Sequence, residues 1–234
     1  MNMKHFFWTY KHSICFINVK AIIKSNTAFL LPYALFITLG TLLLAINSKS
    51  ETHLIFNAFH NNFFDIFFNY TTYLGDGLIA TLIAIILLIV KYKYAIIVGV
   101  SNAIAAIITQ FLKHIIFADA VRPKKYFEGI SDLYFVPGVE NYLYNSFPSG
   151  HSTCAFSLYF ALSLIVKNQL LKFSLFIIAL IVGISRIYLS QHFFEDVFTG
   201  SLIGVITTIV IYYLFKKWNN NWIEKSIITS ISGK

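Results

Sequence analysis

Two histidines, one aspartate and three cations have the types and spacings in this chain to do chemistry together. His192 and Asp196 stand four positions apart in "SRIYLSQHFFED". On a helix that spacing brings two side chains onto one face, with Cβ atoms about 5–6 Å apart. The Asp196 carboxylate there accepts a proton from one ring nitrogen, which fixes the tautomer and leaves the other nitrogen a lone-pair nucleophile. A structural i,i+4 pair near a helix start, or a helix cap, is the alternative. A second cluster, "NSFPSGHSTCAF", sets Pro148, Ser149, Gly150 and His151 directly before an apolar run. A helix N-terminus presents unpaired N–H groups and the positive end of a dipole, and so binds anions. Gly150 lets an oxyanion approach the backbone, Ser149 can donate from its hydroxyl, and a protonated His151 can give its proton to a leaving oxygen. The plain alternative is a helix start capped by Ser149. Lys113, Arg122 and Arg186 complete the set: three cations suit a phosphate, and arginines offer bidentate forks. Each cation alone is equally a snorkelling side chain at the end of a membrane helix. Taken together the residues describe phosphoryl transfer through a phosphohistidine. The chain has neither a Walker loop nor a carboxylate cluster for magnesium.

The elements that must position these residues are apolar. The 234 residues are 57% hydrophobic and 18% aromatic, with charge on 12%. Soluble domains usually carry about 25% charged residues, so this chain has too few to cover a water-facing surface. Six runs approach the length of about 20 residues that crosses a bilayer: Ala28–Ile46, Thr71–Val90, Ala95–Phe117, Ser152–Val166, Phe173–Leu189 and Val197–Phe215. Cationic residues beside spans mark the cytoplasmic side. With the N-terminus inside, the inner segments hold Lys4, Lys11, Lys20, Lys24, Lys91, Lys93, Lys167, Lys172, Lys216, Lys217, Lys225 and Lys234. The outer set is Lys49, Lys113, Arg122, Lys124, Lys125 and Arg186. Both termini are therefore expected to be cytoplasmic. The net charge of +8 is mostly an orientation signal, which argues against nucleic acid as a partner. All the chemistry-bearing clusters then share the outer side.

The expected organisation is one membrane domain over 28–217, preceded by a cytoplasmic or interfacial amphipathic segment, 1–27, and followed by a cytoplasmic tail, 218–234. No cleaved signal peptide is expected. Outside, "HLIFNAFHNNFFDIFFNY" carries Phe56, Phe59, Phe63 and Phe67 at helical spacing, which predicts a helix lying in the outer interface. Cys15 and Cys154 are far apart and form neither a disulfide framework nor a CxxC metal pair.

The motifs resemble the type 2 phosphatidic acid phosphatase family, which shares its core with vanadium-dependent haloperoxidases. That family's signature is Lys-x6-Arg-Pro, then Pro-Ser-Gly-His, then Ser-Arg-x5-His-x3-Asp. The second motif is complete at Pro148, Ser149, Gly150 and His151, and the third at Ser185, Arg186, His192 and Asp196. The core motifs span 113–196, within a match over about 71–215. The resemblance implies an all-α, six-span transmembrane bundle acting as a lipid phosphatase. It implies His192 as the nucleophile, Asp196 as its orienter, and His151 as the acid and then the base. Lys113, Arg122, Ser149, Gly150 and Arg186 would hold the phosphate, with no metal or other cofactor. The implied substrates are membrane lipids such as undecaprenyl diphosphate, lipid A, phosphatidylglycerol phosphate or phosphatidic acid. A bacterial inner membrane with the site facing the periplasm is the expected location.

The first motif departs from the pattern, because eight residues rather than six separate Lys113 from Arg122. At 100° per residue, a step of nine places the two on opposite helix faces. The helix must therefore end or distort between them, expected around Ala118–Ala120, and Pro123 pushes Arg122 toward extended backbone. Lys124 is the alternative cation. Three other readings stand beside the phosphatase. A phosphotransferase would use the same intermediate with a different acceptor. In a transporter, His192–Asp196 would be a proton relay. A metal site could draw on His114, His151, His192 and Asp196, although the arginines would repel a divalent ion.

Overall fold

The apolar runs fold as helices, and among the described residues there is no strand. This computed structural model describes residues 21–216 and 220–231, so most of the expected amphipathic segment 1–27 lies outside the described residues. The helices are α1 (Thr27–Ile46), α2 (Lys49–Ala58), α3 (Asn62–Thr71), α4 (Gly77–Val90), α5 (Tyr92–Phe111), α6 (Gly150–Ile165), α7 (Gln169–Tyr188) and α8 (Phe194–Lys216). Small polar residues start them. Ser48 closes a capping box with Glu51, and Asn61, Asp76, Ser149 and Asn168 accept first-turn N–H groups of α3, α4, α6 and α7.

Among the described residues, four helical stretches are long and apolar enough to cross a membrane: Thr27–Ile46, Tyr92–Ile116, Gln169–Tyr188 and Phe194–Phe215. Asn62–Gly75 and Gly77–Val90 together pass the same test as one span bent by 51°. The remaining expected span, α6, has 16 residues, a length of about 24 Å against a hydrocarbon core of about 30 Å. It is also the central helix: Ala155, Phe156, Leu158, Tyr159, Phe160 and Ala161 are all buried.

Two expected helices are broken where polar caps intervene. The second span does not run straight from Thr71. A 3-10 turn, Thr72–Gly75, precedes the Asp76 cap, and it packs closely: a Cβ on Gly75 would come 2.5 Å from Val182 Cγ1 and 2.9 Å from the His151 carbonyl oxygen. The single outer helix expected over 53–70 is two, since Asn61 caps a new start. The phenylalanine stripe divides accordingly: Phe56 packs on the cluster of Ile187, Phe194 and Val197, while Phe59 and Phe63 are exposed.

Aromatic packing fills the centre. The Phe29 ring of α1 lies 5.0 Å from Phe160 and meets Phe176 edge-on at 5.6 Å, joining α1, α6 and α7. Backbone contact, not side-chain volume, joins α6 to α8. A methyl on Gly200 would lie 2.7 Å from the Ser149 carbonyl oxygen, and one on Gly204 would lie 2.5 Å from that of Thr153. Small residues four apart let two membrane helices approach this closely. At the far end, the buried Lys172 ammonium donates to the Ser25 carbonyl at 2.7 Å and to Asn26 Oδ1 at 2.6 Å. There too Glu224 bridges Lys91 and Lys93, each at 2.7 Å. The end of α5, the start of α6, the end of α7 and the start of α8 consequently converge at the opposite end.

Gly204→Val is expected to destabilise the bundle by about 1–3 kcal/mol, because the new side chain meets unyielding backbone. Thermal unfolding in detergent reads this as a lower midpoint. Gly99→Ala, whose new Cβ would sit 3.6 Å from the Ala84 Cβ, is the control expected to melt as the wild type does. Equal midpoints for all three proteins would remove the close α6–α8 approach from the account.

Candidate active site

The site assembles at helix ends, where backbone groups are unpaired and polar side chains can be satisfied. α7 stops because the backbone reverses at Ser190, whose φ of 53° is unusual for a non-glycine residue. The turn is held from outside: His53 Nε2 and Asn57 Nδ2 each lie 3.2 Å from Ser190 Oγ. His53 is buried against the Phe127 and Phe193 rings, and that burial pushes its pKa down to about 4, so the ring is neutral. The N–H groups of Gln191 and His192 both return to the Arg186 carbonyl, at 3.0 and 3.1 Å. Arg186 and His192 are thus locked together across the turn.

His192 precedes α8 rather than lying on it, which corrects the expectation of a helical i,i+4 pair. Phe193 is the cap residue and Asp196 stands in the first turn. Asp196 Oδ2 accepts the Phe193 N–H at 3.0 Å, a helix-capping contact. The same oxygen is 3.1 Å from His192 Nδ1 and accepts the Ser146 hydroxyl. The cap and the orienting pair are therefore one arrangement. A carboxylate only accepts, so Nδ1 carries the proton and Nε2 the lone pair. Burial, with Arg122, Lys113, Arg186 and His151 nearby, holds the His192 pKa well below its ordinary value. The ring is 2% exposed and neutral.

The three expected cations surround this ring. Arg186 donates from Nη1 to Thr72 Oγ1 at 2.7 Å, and its buried Nε has no partner among the described residues. Arg122 sits in extended backbone before Pro123, as the proline predicts, with φ −86° and ψ 164°. It is fixed by Nε to the Tyr144 carbonyl at 2.9 Å and Nη1 to the Gln191 carbonyl at 3.0 Å. Burial lowers the pKa of its guanidinium. Lys113 is buried within electrostatic reach of Arg122, Asp196 and Arg186, and its ammonium makes no hydrogen bond among the described residues. The distortion that brings it there starts earlier than Ala118–Ala120. Leu112–Ile116 form a π turn, closed by the Phe117 N–H to the Leu112 carbonyl at 2.8 Å. A π turn takes up an extra residue. The turn from Phe117 to Ala120 then ends the helix, and the longer spacing is absorbed. Lys124 lines a separate recess with Phe127 and Glu128 and does not substitute for Lys113.

Ser149 caps α6, its own N–H donating to the Asp196 carbonyl at 3.0 Å, which ties the α6 start to α8. The N–H groups of Gly150 and His151, in the first helical turn, have no intrahelical acceptor. A Cβ on Gly150 would meet nothing within 4 Å, so the space beside this backbone is open. His151 and Gly150 line the upper end of a groove of about 350 Å³ between α4, α5 and α6, whose walls include Ala80, Gly99, Ala103 and Ala106. On the other side a cleft of about 480 Å³ is lined by Lys113, Arg122, Tyr142 and Tyr144. Among the described residues no group of three His, Cys, Asp or Glu side chains is arranged to hold a metal ion.

All eight expected site residues thus meet at one end of the bundle. The sequence reading missed Ser146, Gln191, Thr72 and His53, which hold the site in place. Their types carry no signal, and their partners lie as far as 137 positions away.

Known proteins share sequence and fold with this chain. A family model described as PAP2 superfamily matches residues 94–220. The chain is 34% identical over 79 residues to the bacitracin transport permease protein BcrC of Bacillus licheniformis, which is 34% of this chain and 38% of that protein. It is 30% identical over 80 residues to the lipid A 4'-phosphatase of Porphyromonas gingivalis, covering 34% of each. The match thus spans little more than a third of either relative. Among solved structures, Aquifex aeolicus LpxE superposes with a TM-score of 0.62 at 28% identity, over 70% of this chain and 93% of that one. The PAP2-type phosphatidylglycerolphosphate phosphatase of Bacillus subtilis gives 0.55 at 19% identity, over 84% and 98%, a likeness of fold.

Lys113→Met is expected to raise the His192 pKa while leaving it below its ordinary value, because one cation opposing ring protonation is gone and burial and both arginines remain. Ring-nitrogen shifts of histidine-labelled protein against pH would show the midpoint moving upward. An unmoved midpoint would mean that the ammonium does not reach the ring.

Proposed function

The chain belongs to the PAP2 superfamily, and we propose that it is an integral membrane phosphatase that removes a phosphate from a lipid through a phosphohistidine, without a metal. The observation that carries this reading is the neutral, buried His192 with Nδ1 committed to Asp196 and Nε2 left free among Lys113, Arg122 and Arg186. The lone pair of Nε2 attacks phosphorus, and the bond from phosphorus to the lipid oxygen breaks. His151, which takes up a proton once the negative charge of the substrate offsets the cations around it, gives that proton to the departing oxygen. Water then attacks the phosphohistidine, His151 takes the water's proton, the P–N bond breaks, and inorganic phosphate leaves with His192 neutral again. Asp196 holds the ring and stabilises the positive charge it gains. The three cations, the Ser149 hydroxyl and the α6 N-terminus stabilise the phosphoryl oxygens.

The position of His151 supports a lipid as the leaving group. The acid stands at the head of the groove between α4, α5 and α6, so the alcohol it protonates is placed over space walled by membrane-spanning helices. A six-span topology with both termini cytoplasmic puts this end of the bundle at the outer face, the periplasmic side of a bacterial inner membrane. Undecaprenyl diphosphate, lipid A, phosphatidylglycerol phosphate and phosphatidic acid are the substrates this chemistry fits. The buried histidines, aspartate and arginines gather at that one end rather than along the spans, which favours an enzyme over a proton-relaying transporter.

Purified protein in detergent containing EDTA is expected to release inorganic phosphate from at least one of these four lipids. His192→Ala is expected to lower that rate on the order of 10³-fold or more while remaining folded. Near-normal activity in that variant would overturn the phosphohistidine scheme, and activity abolished by EDTA would overturn metal independence.

A further inference from the structure

Gln191 stands beside the nucleophile and touches neither it nor open solvent, being 4% exposed. Its Oε1 accepts from Arg122 Nη1 at 3.2 Å and from Arg186 Nη2 at 3.3 Å. It is a side chain that both guanidinium groups share. The amide cannot be turned around, because its Nε2 donates to the Glu140 carbonyl and would otherwise face two donors. We infer that Gln191 is a positioning residue, whose uncharged amide holds Arg122 and Arg186 side by side for a phosphate without cancelling their charge. This rests on the phosphoryl-transfer reading above.

The argument is electrostatic. Two guanidinium groups buried together repel one another, and each needs acceptors for five N–H groups. A carboxylate between them would be the stronger acceptor, but it would remove one of the charges that attract the substrate. The acceptors actually used are all neutral: the Tyr144, Asn145 and Gln191 carbonyls, the Thr72 hydroxyl and the Gln191 amide. Among the described residues neither arginine forms a salt bridge. The buried Arg186 Nε remains without a partner, as a donor reserved for a phosphate oxygen would be. Gln191 thus fixes the spacing of the two forks, leaving their charge to the ligand.

Gln191→Glu separates this role from simple packing, because it keeps the size and the acceptor between the arginines, adds a charge there, and gives up only the Nε2 donor to the Glu140 carbonyl. The probe is inorganic orthophosphate, its affinity for the full chain in detergent read by thermal shift and by competitive inhibition of lipid dephosphorylation. Gln191→Glu is expected to melt above Gln191→Met, which loses the same Nε2 donor, and yet bind phosphate roughly tenfold or more weakly than the wild type near neutral pH. KM should rise by a similar factor. The affinity ratio of variant to wild type should recover as pH falls and the new carboxyl group is protonated. Gln191→Met, with no acceptor at all, is expected to lower both the midpoint and the phosphate affinity. Wild-type phosphate affinity in Gln191→Glu would overturn the inference alone. If that variant did not fold, unchanged affinity in Gln191→Met would do so. A wild type that neither binds phosphate nor releases it from any lipid would overturn the phosphatase reading and this inference with it.

Discussion

Three buried cations without a carboxylate of their own dominate one end of this bundle. Lys113, Arg122 and Arg186 are each shielded from water, and the nearby acid, Asp196, is engaged by His192, Ser146 and the Phe193 N–H. Burying like charges beside an apolar core is costly. The arrangement persists because neutral groups satisfy most of the guanidinium donors, and a bound phosphate would supply the missing counter-charge. The same field, together with burial, keeps His192 unprotonated. One constraint therefore sets both the charge of the site and the state of its central ring.

Holding such a cluster needs a rigid frame, and the frame is built around α6. That helix is buried along its length, and Gly200 and Gly204 let α8 rest on its backbone. The Ser149 N–H to the Asp196 carbonyl joins the two helix starts, so the first turn of α6 and the Asp196–His192 pair are tied together. From the side, α2 clamps the 189–192 turn through His53 and Asn57, and Thr72 in the turn before α4 holds Arg186. Aromatic packing of Phe29, Phe160 and Phe176 closes the middle of the bundle. Elements far apart in sequence thus each contribute one contact to the same few cubic ångströms of chemistry.

The longer spacing between Lys113 and Arg122 shows how a site tolerates insertion. On a regular helix the lysine would face away from the arginine. The π turn at Leu112–Ile116 rotates the helix end, and the bend from Phe117 to Ala120 lets Arg122 return on extended backbone before Pro123. The extra residues are absorbed at a helix end, where hydrogen bonds are already incomplete, and leave the membrane-depth packing undisturbed.

The sequence by itself determined the helical class, the apolar runs and the polar clusters that meet at one end of the bundle. Those properties follow from local pattern: long apolar runs, small polar caps, and histidine, aspartate and arginine at fixed spacing near helix ends. The need for a distortion after Lys113 was also legible, because helical periodicity is a strictly local rule. Its position and form were not, since a π turn is selected by what the helix end packs against. Nor could the pattern show that His192 precedes α8, that the outer phenylalanine helix breaks at Asn61, or that α6 lies at the centre. Gln191, Ser146, Thr72 and His53 were invisible for the same reason. Their roles are contacts to residues up to 137 positions away, and only the tertiary structure decides which polar group meets which buried charge, because only there are water and its competing hydrogen bonds removed.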